Sequence, residues 1–451
     1  MNTQKTVSFY TLGCKLNTYD TQWYSEQFVA QGYREVPFGE LADVTVVNTC
    51  TVTGQGDAQS RQALRKANRI SPDGLVVAVG CYAQTDPEGL SEMPEVDLVV
   101  GTTERTQLID LVNDTCSLGR TFVTRSRTKD FQDMDIYNFG GRTRAFVKIQ
   151  EGCNEFCSFC IIPFARGRSR SRAINSTVDQ VKKLVDAGYG EVVLTGVHIG
   201  DYGADIDGAR LIDVLEAFER IEGLQRFRIS SIEASYVTDA MIDFFATSQK
   251  FCHHLHVPLQ SGDDGVLKAM RRPYTRGQYI DLIEKLSDHV PDVGIGADVM
   301  VGFPGESDAA FQNTYNLIAE HPMTYLHVFP YSPRGNTPAA RMPHQVETHV
   351  KKERGALLRT LGQQKVRAFQ ERFLGRMLPV LFEGRGKRGL LHGLTDNYIR
   401  VMAAGPESAQ EHVRNVRLDR IEEDGVMGTL EGYEGVVVPD GELLQVVCVS
   451  H

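Results

Sequence analysis

The chain has 451 residues, of which 41% are hydrophobic and 24% are charged, and its formal net charge is −10. This length exceeds one ordinary core, so two or three domains are expected, and the composition excludes a largely disordered chain. The acidic balance argues against a surface that binds polyanions in general, so any nucleic-acid contact must come from local basic patches. The absence of a signal-like N-terminus and of an apolar run of about 18 residues predicts a cytoplasmic protein without a membrane segment.

The first predicted elements alternate short apolar strands with helices, which is the pattern of a parallel α/β sheet. The strand segments VSFYTL, DVTVVN and LVVAVG precede Cys14, Cys50 and Cys81, with helices expected around residues 21–30 and 59–70. Because the carboxyl ends of parallel strands lie at one edge of a sheet, these cysteines are predicted to converge there. The alternative for each is a small apolar thiol packed beneath a loop.

A second α/β series begins near Arg144. Its candidate strands are AFVKIQ, EVVLTG, RFRISS, HLHVP, VGIGADVMVG and YLHVFPYS, with helical stretches between them. Six such repeats favour a partial (β/α)6 barrel over the closed eight-fold form, with the working residues in the loops that follow the strands.

The C-terminal part has helix signals over residues 347–373, after which the pattern changes to short strands. These strands are LPVLFE, YIRVMAA, VRNVRLD and TLEGYEGVVV, and the turn residues between them predict a small antiparallel β-barrel. The predicted domains of this α/β chain are therefore residues 1–130, 139–373 and 374–451.

The segment CNEFCSFC follows the first barrel strand and brings Cys153, Cys157 and Cys160 close together. In a reducing compartment, three thiols at this spacing favour an iron–sulfur or other metal site over disulfides. A structural zinc site is the alternative, although the next candidate ligands, His198 and Cys252, do not follow at zinc-finger spacing. Three ligands leave one metal position open. In a 4Fe-4S cluster that position can bind S-adenosylmethionine (SAM), whose reductive cleavage yields a hydrogen-abstracting radical.

The segment EGCNEFCSFCIIPFARGRSRSR resembles the signature of the methylthiotransferases, a family of radical SAM enzymes. The segments TLGCKLNTYDT, VVNTCTVT and AVGCYAQ resemble the N-terminal cluster-binding domain of its MtaB-type branch. The resemblance covers essentially the whole chain, including a C-terminal part similar to a TRAM domain.

This resemblance implies two 4Fe-4S clusters with different tasks. The SAM-cleaving cluster would activate an aromatic C–H bond and is assigned to Cys153, Cys157 and Cys160. The auxiliary cluster would hold the sulfur and is assigned to Cys14, Cys50 and Cys81. The other cysteines match no cluster motif and are expected to be structural; they are Cys116, Cys252 and Cys448.

The resemblance also implies SAM contacts in the loops LTGVHIGDYG and HVPLQSG and at the ends of neighbouring strands. The residues assigned to SAM binding are Thr195, Gly196, Ser231, Glu233, Gln260, Ser261 and Asp298. The alternative for each is a helix cap or a loop tie.

The segments NTCTVT and CIIPFARGRSRSR are closer to the MtaB-type branch than to siblings that act on isopentenyladenosine in tRNA or on a ribosomal protein. The implied substrate is N6-threonylcarbamoyladenosine next to the anticodon, modified at adenine C2. A base that is already unpaired in the anticodon loop can be splayed into a barrel pocket at modest cost. The implied partners are the anticodon stem-loop of tRNA, an electron donor protein and a sulfur source.

Two basic segments are candidates for RNA contact. Arginines 166, 168, 170 and 172 alternate along one loop and could contact phosphates or the carboxylate of a threonylcarbamoyl group. Residues 351–372 carry seven Lys/Arg against two Glu and would hold the stem together with the TRAM-like barrel. The alternative for each is a solvated basic face. A different class, a non-catalytic RNA-binding protein with structural zinc, would leave SAM intact.

Overall fold

The computed structural model describes residues 4–118, 121–122 and 129–433. Its N-terminal part is a six-stranded parallel sheet with the strand order β2-β1-β3-β4-β5-β6. The strands are β1 Thr6–Thr11, β2 Arg34–Glu35, β3 Val44–Thr49, β4 Leu75–Gly80, β5 Leu98–Val100 and β6 Thr121–Phe122. The helices are α1 Lys15–Ala30, α2 Gly54–Ile70, α3 Cys81–Thr85, α4 Pro87–Ser91 and α5 Leu108–Leu118. Strand β3 is buried along its whole length, as expected for a parallel strand covered on both faces.

The central part is the predicted partial barrel, and all six of its predicted strands are present. They are β7 Arg144–Lys148, β10 Glu191–Thr195, β11 Arg226–Ile229, β12 His254–His256, β13 Gly294–Val301 and β14 Tyr325–Pro330. Three strands pair in the order β7-β10-β11 and three in the order β12-β13-β14, all parallel. Parallel bridges from Phe227 to Phe251 and from Ser231 to His256 join the two halves.

Helices and one short hairpin complete the barrel. The helices are α6 Ile162–Arg166, α7 Ile174–Asp186, α8 Leu211–Glu219, α9 Asp239–Thr247, α10 Asp264–Met270, α11 Arg276–His289 and α12 Asp308–Glu320. The hairpin pairs β8 Gln150–Glu151 with β9 Arg170–Ser171 and encloses the second cysteine segment. These helices and the hairpin follow the barrel strands, and the loops that lead into them are where the barrel pattern predicts the functional residues.

The N-terminal sheet and the barrel share one apolar core. Residues 129–143 connect the two, and Phe139 of this connection packs between Tyr19 of α1 and Phe146 of β7, with ring centroids 6.2 and 5.7 Å apart. Helix α1 lies along the edge strand β7, where Lys148 Nζ is 2.7 Å from Asp20 Oδ1. The N-terminal sheet is therefore fixed against the open side of the barrel.

The C-terminal part begins with helix α13, Thr348–Glu371, at the predicted position. A closed five-stranded barrel follows in the order β15-β16-β17-β19-β18. Its strands are β15 Met377–Arg385, β16 Leu391–Thr395, β17 Arg400–Ala404, β18 Val413–Glu422 and β19 Gly425–Leu430. The small barrel is thus confirmed, although β17 and β19 pair in parallel whereas the other neighbours are antiparallel.

Two strands of this small barrel differ from the sequence prediction, which was wrong there. Strand β16 was not predicted, and the last strand begins at residue 425 rather than at the predicted residue 429; residues 434–438 of the predicted segment lie outside the described residues. Both strands contain a glycine that interrupts the apolar strand pattern of the sequence. A Cβ on Gly393 of β16 would meet the carbonyl oxygen of Leu381, and one on Gly428 of β19 would lie 2.5 Å from Val416 Cγ1. These close strand crossings require glycine, which weakens the strand pattern in the sequence.

The domain limits of residues 1–130, 139–373 and 374–451 stay predictions, and within the described ranges no helix or strand crosses them. Among the helices that the structure describes, none combines the length and the apolar composition that crossing a bilayer requires.

Candidate active site

The first predicted triad lies just after the carboxyl ends of three strands that are neighbours in the sheet. Strand β1 is followed by Cys14, β3 by Cys50 and β4 by Cys81. A Cβ placed on Gly13 would lie 3.1 Å from Cys50 Sγ, so the loops that carry Cys14 and Cys50 touch. Burial raises the pKa of the Cys81 thiol to about 11, and the charges of Cys14 and Cys50 add to that shift. The structure thus brings the first predicted triad together at one sheet edge.

Asn17, which was not among the predicted site residues, holds this edge of the sheet together. Its amide Nδ2 donates to the carbonyl oxygens of Leu12, at 2.7 Å, and Thr49, at 3.1 Å, which tie the ends of β1 and β3. The residue is buried inside the segment TLGCKLNTYDT, three positions after Cys14. That spacing on one helical turn was the available signal.

Cys153, Cys157 and Cys160 lie in the loop between β8 and β9. Backbone hydrogen bonds fold this loop, including one from Cys160 N to Cys157 O at 3.1 Å. Burial raises the pKa of Cys153 to about 11 and that of Cys160 to about 12. The guanidinium of Arg272 donates from Nη1 to Cys157 Sγ at 3.3 Å, so a fixed positive charge adjoins the middle thiol.

Both triads fit the metal groups that the sequence predicts. Every cysteine of the two triads is free, and so are Cys116, which is exposed, and Cys252, which is buried; Cys448 lies outside the described residues. Thiols that burial holds in the neutral form become thiolates when a metal binds them, because the cation replaces the lost solvation. Each triad offers three soft donors, a number that would leave one iron of a 4Fe-4S cluster open.

The prediction that the loop arginines contact RNA is wrong for Arg166. This arginine is buried, pairs with Glu151, and lies 3.1 Å from Asp20 Oδ2 through Nη2. Its Nε donates to Cys81 Sγ at 3.3 Å. Although burial acts in the opposite direction, Lys148, Arg105 and Arg166 lower the pKa of Asp20. The Arg166 guanidinium therefore contacts two buried carboxylates and a thiol at the boundary between the N-terminal sheet and the barrel.

Two further loop arginines are also internal. Arg170 is buried beside Glu151, and Arg172 is buried and pairs with Asp133 and Asp135. Arg168 alone of the four is exposed, with its guanidinium 4.4 Å from the Phe156 ring centroid. The other three arginines are buried and paired within the protein, so neither RNA contact nor a solvated face describes them. Arg166 and Arg170 compensate the buried Glu151, whereas the carboxylate partners of Arg172 are exposed or half-buried.

The basic helix α13 is likewise partly internal. Arg354 is buried and pairs with Glu306 at 2.5 Å and Asp308 at 2.7 Å. Lys365 donates to the carbonyl oxygens of Ala319 and His321. The cationic face offered to solvent is smaller than the residue count predicts.

The residues assigned to SAM lie at or just after the ends of β10, β11 and β12, or on β13. Thr195 Oγ1 and Gln260 Oε1 are buried and have no hydrogen-bond partner in the described part of the chain. A Cβ on Gly196 would lie 2.9 Å from Gln150 Oε1, so this backbone passes close to its neighbour. Unsatisfied buried polar groups at the working edge fit a bound polar ligand.

The other four assigned residues have partners or face the barrel interior. Glu233 pairs with Arg272, and the fully buried Ser261 hydroxyl lies 3.4 Å from Thr314 Oγ1. Ser231 is exposed and lines the barrel interior.

Asp298 Oδ1 accepts from His256 Nε2 at 3.0 Å and from His327 Nδ1 at 3.2 Å. Asp298 thus belongs to a histidine cluster that was not predicted from the sequence.

This histidine cluster lines the barrel interior. The ligand atoms of His256, Asp298 and His327 lie within 4.8 Å of one another, a spacing that also suits a metal ion. Tyr325 OH extends the cluster, at 2.9 Å from His254 Nε2 and 3.0 Å from His256 Nδ1. The alternation in HLHVP was the available signal, because residues two apart on a strand share one face.

Comparisons with known proteins agree with this arrangement. A family model described as the Radical SAM superfamily matches residues 147–318, and one described as Uncharacterized protein family UPF0004 matches residues 6–101. The radical SAM methyltransferase TsrM from Kitasatospora setae has a similar fold, with a TM-score of 0.56 at 16% identity over 75% of this chain and 77% of that chain. The partial barrel and its cysteine loop therefore define the class as radical SAM enzymes.

Full-length relatives narrow the class to a family. The threonylcarbamoyladenosine tRNA methylthiotransferase MtaB of Bacillus subtilis is 43% identical, with 92% of this chain and 93% of the relative covered. The MtaB of Aquifex aeolicus is 39% identical over 90% of this chain and 99% of that protein. The tRNA-2-methylthio-N(6)-dimethylallyladenosine synthase of Moorella thermoacetica is 33% identical over 92% of this chain and 96% of that protein. This chain belongs to the MtaB family of radical SAM tRNA methylthiotransferases.

Proposed function

We propose that this protein transfers a methylthio group to adenine C2 of N6-threonylcarbamoyladenosine next to the anticodon of tRNA. The main support is the 43% identity to an MtaB enzyme over 92% of the chain. The two cysteine triads beside one barrel interior agree with a reaction that needs both hydrogen abstraction and sulfur delivery. Since the substrate is tRNA, we expect the protein to act in the cytoplasm with an electron donor protein and a sulfur source.

In this proposal Cys153, Cys157 and Cys160 hold a 4Fe-4S cluster that, when bound with SAM, supplies one-electron cleavage of a carbon–sulfur bond. The protein's own side chains hold and orient the thiol ligands and SAM. Arg272 fixes Glu233 and the Cys157 thiol relative to each other. The unpartnered Thr195 and Gln260 oxygens would hydrogen-bond SAM.

In the same proposal Cys14, Cys50 and Cys81 hold the auxiliary cluster that carries the sulfur. Asn17 keeps the ends of β1 and β3 together, and Arg166 adjoins Cys81 and reaches Glu151, two residues before Cys153. The chain thereby maintains the relative position of the two triads. Alignment of reacting groups is a large part of the rate that an enzyme supplies.

The test is product analysis with the reconstituted, oxygen-protected protein, SAM, a reductant and a sulfide source. One tRNA carries threonylcarbamoyladenosine and a second carries isopentenyladenosine, and nucleosides are identified by mass spectrometry. We expect the methylthio product on the first tRNA. Product on the second alone would reassign the substrate to that of the sibling enzymes. A colourless, zinc-containing protein that leaves SAM intact would overturn the enzyme proposal.

A further inference from the structure

The barrel interior contains a cavity of about 180 Å³ next to the start of helix α1. Three basic side chains line it, those of Lys15, Arg144 and Arg228. Among the described residues that line the cavity, Asp298 alone is acidic. The lining therefore carries an excess of positive charge even when its histidines are neutral.

Arg228 is held at this cavity by three hydrogen bonds, which use three of its five guanidinium N–H groups. Its Nε donates to Glu191 Oε1 at 2.8 Å, and its Nη1 and Nη2 donate to the carbonyl oxygens of Asp396 and Thr395 at 2.6 and 2.8 Å. The guanidinium has five N–H groups, so these contacts leave two of them for a ligand. A fixed guanidinium loses little entropy when it binds a carboxylate.

The carboxylates around these bases do not cancel their charge. Glu191 is buried and shared by Arg226, Arg228 and, at 3.8 Å, Arg144. Arg144 also pairs with Glu383 at 2.6 Å. The three guanidiniums thus pair with Glu191 and Glu383, and Asp396 adds a third negative charge near Arg228, so the positive excess of this group comes from Lys15.

Lys15 and Asp298 complete the charge distribution. Within the part of the chain that the structure describes, no carboxylate forms an ion pair with Lys15. Asp298, by contrast, accepts from His256 and His327 through Oδ1, so two imidazole N–H groups contact one of its two carboxylate oxygens. The lining therefore sets three basic groups against one carboxylate.

We propose that this cavity is the subsite for an anionic carboxylate, that of the N6-threonylcarbamoyl substituent, with Lys15, Arg144 and Arg228 facing it. This inference rests on the proposed function. It replaces the sequence prediction that Arg166, Arg170 or Arg172 binds this carboxylate, since those arginines are buried in other ion pairs. Lys15 follows Cys14 directly, so a substituent held here lies beside the first triad.

The subsite also explains selection between related substrates. An isopentenyl substituent has no charge and no hydrogen-bonding group, so it would displace water from Lys15 and offer this ammonium group no partner in return. Buried polar groups left unpaired reject the wrong ligand more strongly than an apolar pocket can. The cavity therefore selects an acidic substituent.

The experiment measures binding of anticodon stem-loop RNAs to the reconstituted holoprotein. One RNA carries threonylcarbamoyladenosine and the other its primary carboxamide, which has nearly the same size and no charge. We expect the wild-type protein to bind the acid at least about tenfold more tightly than the amide. Lys15→Gln should reduce this ratio severalfold, and Lys15→Arg should retain it. Lys182→Gln, an equal charge change on the exposed face of α7, should keep the wild-type ratio.

Equal binding of acid and amide by the wild-type protein would overturn the subsite, and that comparison depends on no variant. An unchanged ratio in Lys15→Gln would also overturn the assignment to Lys15. A preference for the acid without any methylthio product would support the subsite while the proposed function fails. Product formation with equal binding of both RNAs would do the opposite, so the two failures are distinguishable.

Discussion

Arg166 Nε donates to Cys81 Sγ at 3.3 Å, and this contact crosses from the barrel to the N-terminal sheet. The other nitrogens of the same guanidinium reach Glu151 in the barrel and Asn17 and Asp20 in helix α1. One buried side chain therefore connects both candidate cluster sites. Its positive charge also opposes the effect of burial on the pKa of Cys81.

Replacing Arg166 should destabilise the protein. Arg166→Gln leaves Asp20 and Glu151 buried with fewer counter-charges, and breaking a buried ion pair in this way costs about 3 kcal/mol. Urea unfolding of the metal-free protein measures this loss. The control is Arg168→Gln, two residues further along the same loop and exposed, which should change the free energy of unfolding by at most about 0.5 kcal/mol. Equal stability of the two variants would contradict the role assigned to Arg166.

The turn before Cys153 should accept only glycine. Gly152 has φ of +77°, and a Cβ there would overlap the carbonyl oxygen of Arg168. Gly188 has φ of +98° and nothing within 4 Å of its Cβ position, so it isolates the cost of the left-handed conformation. We expect Gly188→Ala to lose about 1 kcal/mol of stability with full iron binding. Gly152→Ala should lose more and bind about half the iron, measured by metal analysis after reconstitution. Full iron in Gly152→Ala would count against the cysteine loop as a cluster site.

The buried carboxylate of Glu191 should make stability depend on pH. Although burial acts in the opposite direction, Arg228 and Arg226 lower its pKa from 4.5 to about 2. Since the folded-state pKa is depressed, this stabilisation is complete above the unfolded pKa and is lost as the pH falls towards 2. Unfolding free energies of the metal-free wild-type and Glu191→Gln proteins should therefore converge by about 2 kcal/mol between pH 6 and pH 3. A difference that stays constant with pH would show that Glu191 is not held ionised by its arginines.

The sequence predicted elements whose signals are local. The strands that end at Cys14, Cys50 and Cys81 are short apolar runs, and the parallel order of the sheet was enough to predict that the three thiols converge. The spacing of Cys153, Cys157 and Cys160 is likewise a local pattern. The resemblance to a known family then supplied the reaction.

Contacts between distant segments could not be predicted in this way. Arg166 looked like part of a basic loop, yet its partner Asp20 lies 146 positions earlier in the chain. Arg228 and Lys15 line one cavity because the N-terminal sheet closes the open side of the barrel. Alternating charge in a sequence shows neither which side chains are buried nor which residues they pair with. The ion pairs could therefore be identified only from the structure.

The most direct test of the account compares single alanine variants of the two triads after anaerobic reconstitution. The measurement is the yield of 5′-deoxyadenosine from SAM and of methylthiolated nucleoside from threonylcarbamoylated tRNA. Cys157→Ala should give neither product, whereas Cys50→Ala should still cleave SAM and form no methylthiolated nucleoside. Cys116→Ala, at an exposed free cysteine outside both triads, should give both products. Wild-type yields of methylthiolated nucleoside from Cys50→Ala or Cys157→Ala would contradict the division of work between the two triads.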